Sequence, residues 1–415
     1  MRSRRPLAAT LTAVALCATI GGAGAEGIDK QSFNQVEKGR YLATVGDCAA
    51  CHTLPGSGHE LAGGRPLETP FGTLVAPNIT PDPQTGIGAW TNDEFVNALT
   101  RGTGRHGTRL YPGMPYTYYT KLTRDDALAI RAYLNTIPAV HNAVKSNQLP
   151  FPFNIRWGMN IWDALFFKAQ TFAPDPHKSA KWNRGAYLAE GPGHCGLCHT
   201  PKNFLGADKD GQRLQGYNLQ GWFAPNITND TRRGIGSWSV DDIVSYLKTG
   251  HNKMTTTTGL MAETLNLSTS KMRDEDLKAI AVYLKDQPGQ NDKPGAAPDQ
   301  SVMKIGGQIY ADECSGCHKS DGSGTPALFP TLKGSPAVQQ TDSTTLLRVV
   351  LRGAEAAGTD KAPTASSMPQ FSWILTDDQV AAVVTYIRNS WDNSAPPVSA
   401  GDVHKARQAF VERSD

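Results

Sequence analysis

Outside one repeated pattern this chain has almost no cysteine. It has 415 residues and seven cysteines. Six of them fall in three Cys-x-x-Cys-His stretches, and the seventh, Cys17, lies near the N-terminus. No cysteines are left over to staple distant segments, so a disulfide framework is excluded as the organising principle. A long apolar run is also missing after residue 25. Roughly 20 such residues are needed to cross a bilayer as a helix, and no stretch supplies them. Excess charge is absent too. The chain carries 41 basic and 38 acidic residues, and the segment 1–25 holds three arginines and no acid. Beyond it the two signs balance, which leaves a nucleic-acid partner without electrostatic support. No Ser-His-Asp set, phosphate-cradling loop or pair of catalytic carboxylates stands out.

The segment 1–25, MRSRRPLAATLTAVALCATIGGAGA, has a basic start, an apolar stretch and a small-residue ending at Ala23-Gly24-Ala25. It reads as a secretory signal peptide, with export to the periplasm as the expectation. Arg4 and Arg5 hint at a twin-arginine signal, although n-region charges are the plainer reading. Cys17 leaves with this segment.

The repeated pattern is CAACH at 48–52, CGLCH at 195–199 and CSGCH at 314–318. A zinc site wants four ligands in closed tetrahedral geometry, and three separate half-sites do not pair evenly. A thioredoxin-like motif occurs once per βαβ unit. Covalent attachment of c-type haem remains. Residues three apart share a helix face, so both thiols reach the two vinyl groups on one side of a porphyrin. The next residue, histidine, then lies under the iron. The pattern therefore predicts three covalently bound haems, held by Cys48 and Cys51, Cys195 and Cys198, Cys314 and Cys317. His52, His199 and His318 are the expected axial ligands.

A methionine sulfur on the far side raises the potential and closes the iron to substrate. Met114 in LYPGMPY, Met261 in TTGLMAE and Met368 in ASSMPQF each follow a Cys-x-x-Cys-His in a loop just before a helical pattern. They are the candidate sixth ligands. Met254 competes with Met261 in the second loop. The interval from His52 to Met114 recurs unchanged from His199 to Met261 and favours Met261.

An internal repeat orders the first two stretches. APNITPDPQTGIGAWTNDEF at 76–95 matches APNITNDTRRGIGSWSVDDI at 224–243, an offset of 148. GRYLA at 39–43 likewise matches GAYLA at 185–189. Asn78 and Asn226 form N-x-T sequons, but their repetition beside the haem motif points to a shared loop structure and not to glycosylation. Trp90 and Trp238, also paired, are expected to pack near the haem. A helix is predicted after each methionine, starting near Leu122, Met272 and Leu375, with Thr123/Asp126 and Thr376/Gln379 as capping boxes. Each unit thus reads as helix, haem motif, long loop with Met, helix. That is the small all-α cytochrome c fold, three times in tandem.

The boundaries follow from composition. Residues 1–25 are the signal peptide, 26–145 the first unit, 178–290 the second, 303–394 the third and 395–415 a polar tail. A Pro/Gly-rich linker covers 291–302. The connection 146–177 contains IRWGMNIWDALFFKAQ, in which Met159, Trp162, Leu165 and Phe166 make one helical stripe. Interdomain packing, docking to a partner subunit and contact with a membrane surface are all open for it. His106, His194 and His251 lie near ligand loops, and His194, next to Cys195, is a candidate hydrogen-bonding group at haem two.

With three haem motifs, paired PNIT and GIG(A/S)W segments, LYPGMPY and MPQF…TYIRNSW, the sequence resembles the trihaem cytochrome c subunits of membrane-bound periplasmic bacterial dehydrogenases acting on gluconate, fructose, sorbitol or alcohols. The resemblance implies an electron-transfer subunit without catalysis of its own. It would take electrons from a flavin- or quinone-containing catalytic subunit that oxidises a CH-OH donor, and pass them to ubiquinone or a terminal acceptor. Several relatives carry a C-terminal membrane helix and this chain shows none, so peripheral attachment to the outer face of the cytoplasmic membrane is expected. Two alternatives stand beside this reading. One is a multihaem enzyme with one labile ligand, working on peroxide or sulfur compounds. The other is the cytochrome subunit of a molybdenum aldehyde dehydrogenase.

Overall fold

A computed structural model describes residues 32–290 and 294–411. The signal-peptide segment and part of the linker at 291–302 lie outside these residues. Three helices open on side chains that accept from the backbone. The Ser32 hydroxyl accepts from the Gln35 amide ahead of Phe33–Val45. Ser179 accepts from Trp182 ahead of Ala180–Glu190, and Asp299 accepts from Ser301 ahead of Gln300–Ile309. Each opening helix is crossed by a later one, Arg124–Leu134, Asp274–Lys285 and Asp377–Asn389 respectively. Glycine makes the three crossings. A Cβ on Gly39, Gly185 or Gly306 would run into the carbonyl of Ala129, Ala279 or Ala382. Backbones this close leave no room for any side chain.

Between the crossing helices lie the haem-motif segments, a middle helix and the methionine loops. The middle helices Asn92–Arg101 and Val240–Thr249 both start in a complete capping box, Thr91/Glu94 and Ser239/Asp242. Both end on a left-handed glycine, Gly102 and Gly250. The capping box at Thr376/Gln379 is present. At Thr123 only half forms: its hydroxyl accepts from the Asp126 amide, while the Asp126 carboxylate is engaged by Tyr187 and Lys38.

The fold is mainly helical, as expected, but it is not purely so. Pro66–Thr69 pairs with Gly72–Val75, Tyr217–Leu219 with Trp222–Ala224, and Ala354–Glu355 with Ser367–Met368, all antiparallel. The stretch read as a polar tail carries the helix Ala400–Val411. Val403 and Phe410 are buried beneath it, and the Arg407 guanidinium donates to Asp377, Ser372 O and Leu375 O.

The described residues form two large apolar cores. One runs without a break through residues 42–284, from Leu42 and Ile130 to Leu188 and Leu284. The other gathers residues 310–410. The second body docks on the first by edge contacts. The Thr345 hydroxyl donates to Phe223 O at 3.1 Å and accepts from Phe223 N at 2.7 Å, and the Arg348 guanidinium stacks on Trp222.

Candidate haem sites

The first opening helix stops at Gly46, and Asp47 turns the chain with a positive φ of 50°. The short helix Cys48–His52 starts directly after this turn. Gly196–His199 and Ser315–His318 are the corresponding turns. None of the six cysteines is disulfide-bonded. Burial pushes the thiols of Cys48, Cys51 and Cys195 up to about 12, and that of Cys198 to about 11. Burial does the same to Cys314, also to about 12. These are not the depressed thiols of a disulfide oxidoreductase. Among the described residues, no three His, Cys, Asp or Glu side chains converge as a zinc site requires.

The histidines carry the most telling geometry. His52 Nδ1 lies 2.7 Å from Pro77 O, His199 Nδ1 2.7 Å from Pro225 O, and His318 Nδ1 3.1 Å from Pro330 O. A carbonyl only accepts, so each Nδ1 carries the proton and each Nε2 presents a lone pair. Burial holds all three imidazoles below their ordinary pKa against the opposing pull of that hydrogen bond. Neutral, orientation-locked imidazoles with Nε2 free, next to two unpaired thiols, are the donor set that covalent haem needs. The residues therefore fit the group. Sequence reading missed the prolines. Pro77 and Pro225 stand inside the repeated APNIT stretch, whose recurrence was the available signal.

That repeated loop is built from within. Asn78 Oδ1 accepts from the amide and hydroxyl of Thr80 at 2.9 and 2.7 Å, and its Nδ2 donates to Val140 O. Asn226 accepts from Thr228 in the same way. Both asparagines are buried, which agrees with the loop reading and not with glycosylation. Trp238 is buried with its ring 5.5 Å from Tyr246, and Trp90 packs against the same core.

The first two haem motifs exchange supports. The helix Tyr116–Tyr119, which follows Met114, reaches both. The Tyr119 hydroxyl donates to Gly46 O at 2.8 Å, and Tyr118 covers Gly196 while bonding Asp208. In return, the helix Gly259–Leu267 crosses onto Cys48–His52. Ser268 Oγ donates to Val45 O at 3.2 Å. Glu263 forms a two-pronged ion pair with Arg65, which also donates to Ala50 O. Asp47 is buried below this pair with its Oδ1 unpartnered, and burial lifts its carboxyl to about 7. His194 bridges the two motifs: its Nε2 is 3.2 Å from Gly46 O and its ring stands edge-on to Tyr119. Sequence reading set His194 at haem two but could not show that it reaches haem one's turn.

The methionines are placed differently from one another. Met114 packs on the large core, its amide donating to Tyr111 O. Met368 sits in the last ribbon and packs on the second core. Met261, read as a loop residue, lies in the first turn of the helix Gly259–Leu267. Met254 packs on the large core, its amide bonded to Asn252 Oδ1 at 2.8 Å.

Comparison with known proteins agrees with this geometry. The cytochrome c family profile matches residues 36–138 and 303–391. The gluconate 2-dehydrogenase cytochrome c subunit of Pantoea cypripedii is 39% identical over 92% of this chain and 91% of its own length. The alcohol dehydrogenase (quinone) cytochrome c subunit of Gluconacetobacter polyoxogenes is 37% identical over 97% and 90%. The fructose dehydrogenase cytochrome subunit of Gluconobacter japonicus is 34% identical over 98% and 90%. With this likeness over nearly its full length, the chain belongs to the family of cytochrome c subunits of gluconate, alcohol and fructose dehydrogenases.

Proposed function

We propose that this protein is the electron-transfer subunit of a periplasmic dehydrogenase complex and carries three c-type haems in three tandem units. It receives electrons from a flavin- or quinone-containing catalytic subunit oxidising a sugar, sugar acid or alcohol, and delivers them to ubiquinone or another terminal acceptor. The observation that carries this reading is the threefold His Nδ1–Pro O hydrogen bond, at His52, His199 and His318.

Bound covalently, haem supplies a one-electron ferric–ferrous couple. The protein fixes where that couple sits and how it is tuned. Each cysteine pair would tether one haem, and each histidine would offer Nε2 to its iron. The prolyl carbonyl holds the proton on Nδ1, fixing the tautomer and the ring plane. Met114, Met261 and Met368 would each offer a thioether sulfur to an iron, a donor that favours electron transfer over substrate chemistry. The shared core beneath the first two motifs would hold two haems in a fixed relative position. The N-terminal segment 1–25 is assigned as the export signal.

Intact mass of the mature protein tests the haem number: three haem additions and a start at Glu26 are expected, and two additions would refute it. Steady-state reduction tests the role. The haems should be reduced by substrate only when a dehydrogenase subunit is added. Oxidation of an alcohol, sugar or aldehyde by the cytochrome alone would overturn the assignment.

A further inference from the structure

The sequence read Met159, Trp162, Leu165 and Phe166 as one stripe, and the structure divides it. The helix Gly158–Phe166 buries Trp162 and Asp163, and Met159 joins Trp162 in a small core with Tyr116 and Met114. Ile161 and Leu165 point away, Leu165 with 65% of its surface exposed. The stretch leading into the helix exposes Phe151 and Trp157 at 78% and 68%. These residues are not scattered. Phe153 packs against Phe71 with tilted rings, their centroids 5.0 Å apart, and Phe71 lies against Gly206. The Trp162 indole donates to Leu205 O at 2.9 Å. Next to Leu205, Phe204 is 87% exposed. The connection 150–166 and the loop at 204–206 therefore adjoin, and both expose large apolar side chains. An exposed patch of this kind marks an interaction surface.

Charge chooses the occupant. From residue 142 to 174 the chain has a single acid, Asp163. It is turned inward, accepting from the Tyr116 hydroxyl at 2.6 Å and paired with Arg109 at 3.2 Å. The charges left on the outside of the segment are Lys145 and Lys168, with half-buried Arg156 between them. On adjoining elements Asp208 is held by Tyr118 and Lys202, while Glu68, which accepts from the Thr73 hydroxyl, and Asp210 are exposed at the margin. Aromatic and aliphatic side chains on a segment whose own exposed charges are basic suit the boundary between acyl chains and anionic headgroups. No described helix is long and apolar enough to cross a membrane.

We propose that this face, the outer side of helix Gly158–Phe166 with Phe151, Trp157 and Phe204, is where the protein lies on an anionic phospholipid bilayer. The inference rests on the proposed function, taking its acceptor to be the membrane-dissolved ubiquinone, and it names the surface. The inner side of the same helix packs with Met114. A candidate ligand loop of the first haem thus sits directly behind the bilayer face.

The test is flotation of the full-length, haem-loaded protein with vesicles of phosphatidylcholine and phosphatidylglycerol at three to one. The wild type should float with these vesicles and at least tenfold less with pure phosphatidylcholine. Rising salt should weaken the association. The double variant Ile161→Asp/Leu165→Asp changes two outward side chains and should lose at least tenfold in binding with its haem spectrum unchanged. Ile305→Asp, an exposed apolar residue elsewhere, should bind as the wild type does. Equal binding of the double variant and the wild type would overturn the proposal. So would a wild type that floats only when the dehydrogenase subunit is present, which would give the face to a protein partner. Substrate-driven haem reduction through an added dehydrogenase, measured without vesicles, tests the relay separately. If reduction persists while flotation fails, the surface assignment alone falls.

Discussion

The Tyr41 hydroxyl donates to Asp276 Oδ2 at 2.6 Å, from the first opening helix to the second crossing helix. The repeat supplies the reverse contact, with Tyr187 donating to Asp126. Lys38 joins Asp126, and Arg184 joins Asp276 at 2.7 and 2.9 Å. Each tyrosine, on the opening helix of one repeat, holds the acid in the first turn of the other repeat's crossing helix, while the basic residue on that acid comes from the acid's own repeat. Two haem segments are thereby tied by a reciprocal, nearly two-fold lock. Arg273 stacks on Tyr41 at 4.5 Å and completes one side of it.

This lock predicts a stability cost that no isolated unit would show. The Asp276 side chain is only 6% exposed. Asp276→Ala strands a tyrosine hydroxyl and a guanidinium, and should destabilise the protein by about 3 kcal/mol. Tyr41→Phe should cost about 1 kcal/mol. Denaturant titration followed by haem absorbance measures both. Equal, negligible losses would show that the lock is decorative.

Its pH dependence has a definite sign. Burial alone would raise the Asp276 pKa, but the hydrogen bonds from Arg184 and Tyr41 and the nearby positive charges outweigh it, and the net shift is downward. A depressed carboxyl contributes stability above its unfolded pKa of about 3.9 and loses it as pH falls through the folded value. Stability should hold from neutral pH to about 4 and then decline. Asp276→Asn should flatten that acid limb relative to the wild type in unfolding at a series of pH values.

Much of this was legible in sequence, and the remainder failed for identifiable reasons. The helix starts at Thr123 and Thr376 follow from local caps, and the haem motifs from their own spelling. The reciprocal lock did not follow. A repeat shows that Tyr41 matches Tyr187, but not which copy's acid each one meets. The helix Ala400–Val411 was hidden because only Val403 and Phe410 interrupt a polar surface. Met261 was read as a loop residue because Thr255 to Thr258 form a poor helix, yet the chain turns helical directly after them, at Gly259. The prolyl carbonyls behind the histidines are backbone groups and leave no side-chain signature.

The glycine crossings give a comparison inside one molecule. Gly306→Ala strikes the crossing in the smaller core, and Gly39→Ala strikes the large shared one. Both add a methyl group against backbone carbonyl, which side-chain rotation cannot relieve, and should cost about 3 kcal/mol or more. Calorimetry should show Gly306→Ala lowering a transition confined to residues 300–411. Gly39→Ala should lower the transition that contains both of the first two haem segments. If Gly39→Ala leaves the second segment's haem signal at wild-type stability, the shared core is not a cooperative unit.

The sulfur ligand proposed for the second haem is the sharpest remaining choice, and the structure changes its terms. Met254 sits against the large core with its amide fixed by Asn252, a placement that a packing role explains fully. Met261 lies in the first turn of a helix pinned to the first haem segment by Glu263–Arg65 and by Ser268–Val45. That pinning fixes its position without help from the sulfur, as a preorganised ligand requires. Sequence spacing selects the same residue, because Met261 stands as far beyond His199 as Met114 does beyond His52. Met261→Ala should therefore abolish the iron–sulfur charge-transfer band of one haem and lower its potential, because a thioether favours the ferrous state. Met254→Ala should keep the band and lose about 2 kcal/mol of stability through the cavity it leaves. Arg65→Ala, which frees the helix without touching the sulfur, should leave the band in place but weaken it as temperature rises. Absorbance of the oxidised protein and a spectroelectrochemical titration read all three variants. Loss of the band in Met254→Ala with its retention in Met261→Ala would move the ligand upstream to Met254 and break the repeat register in this loop.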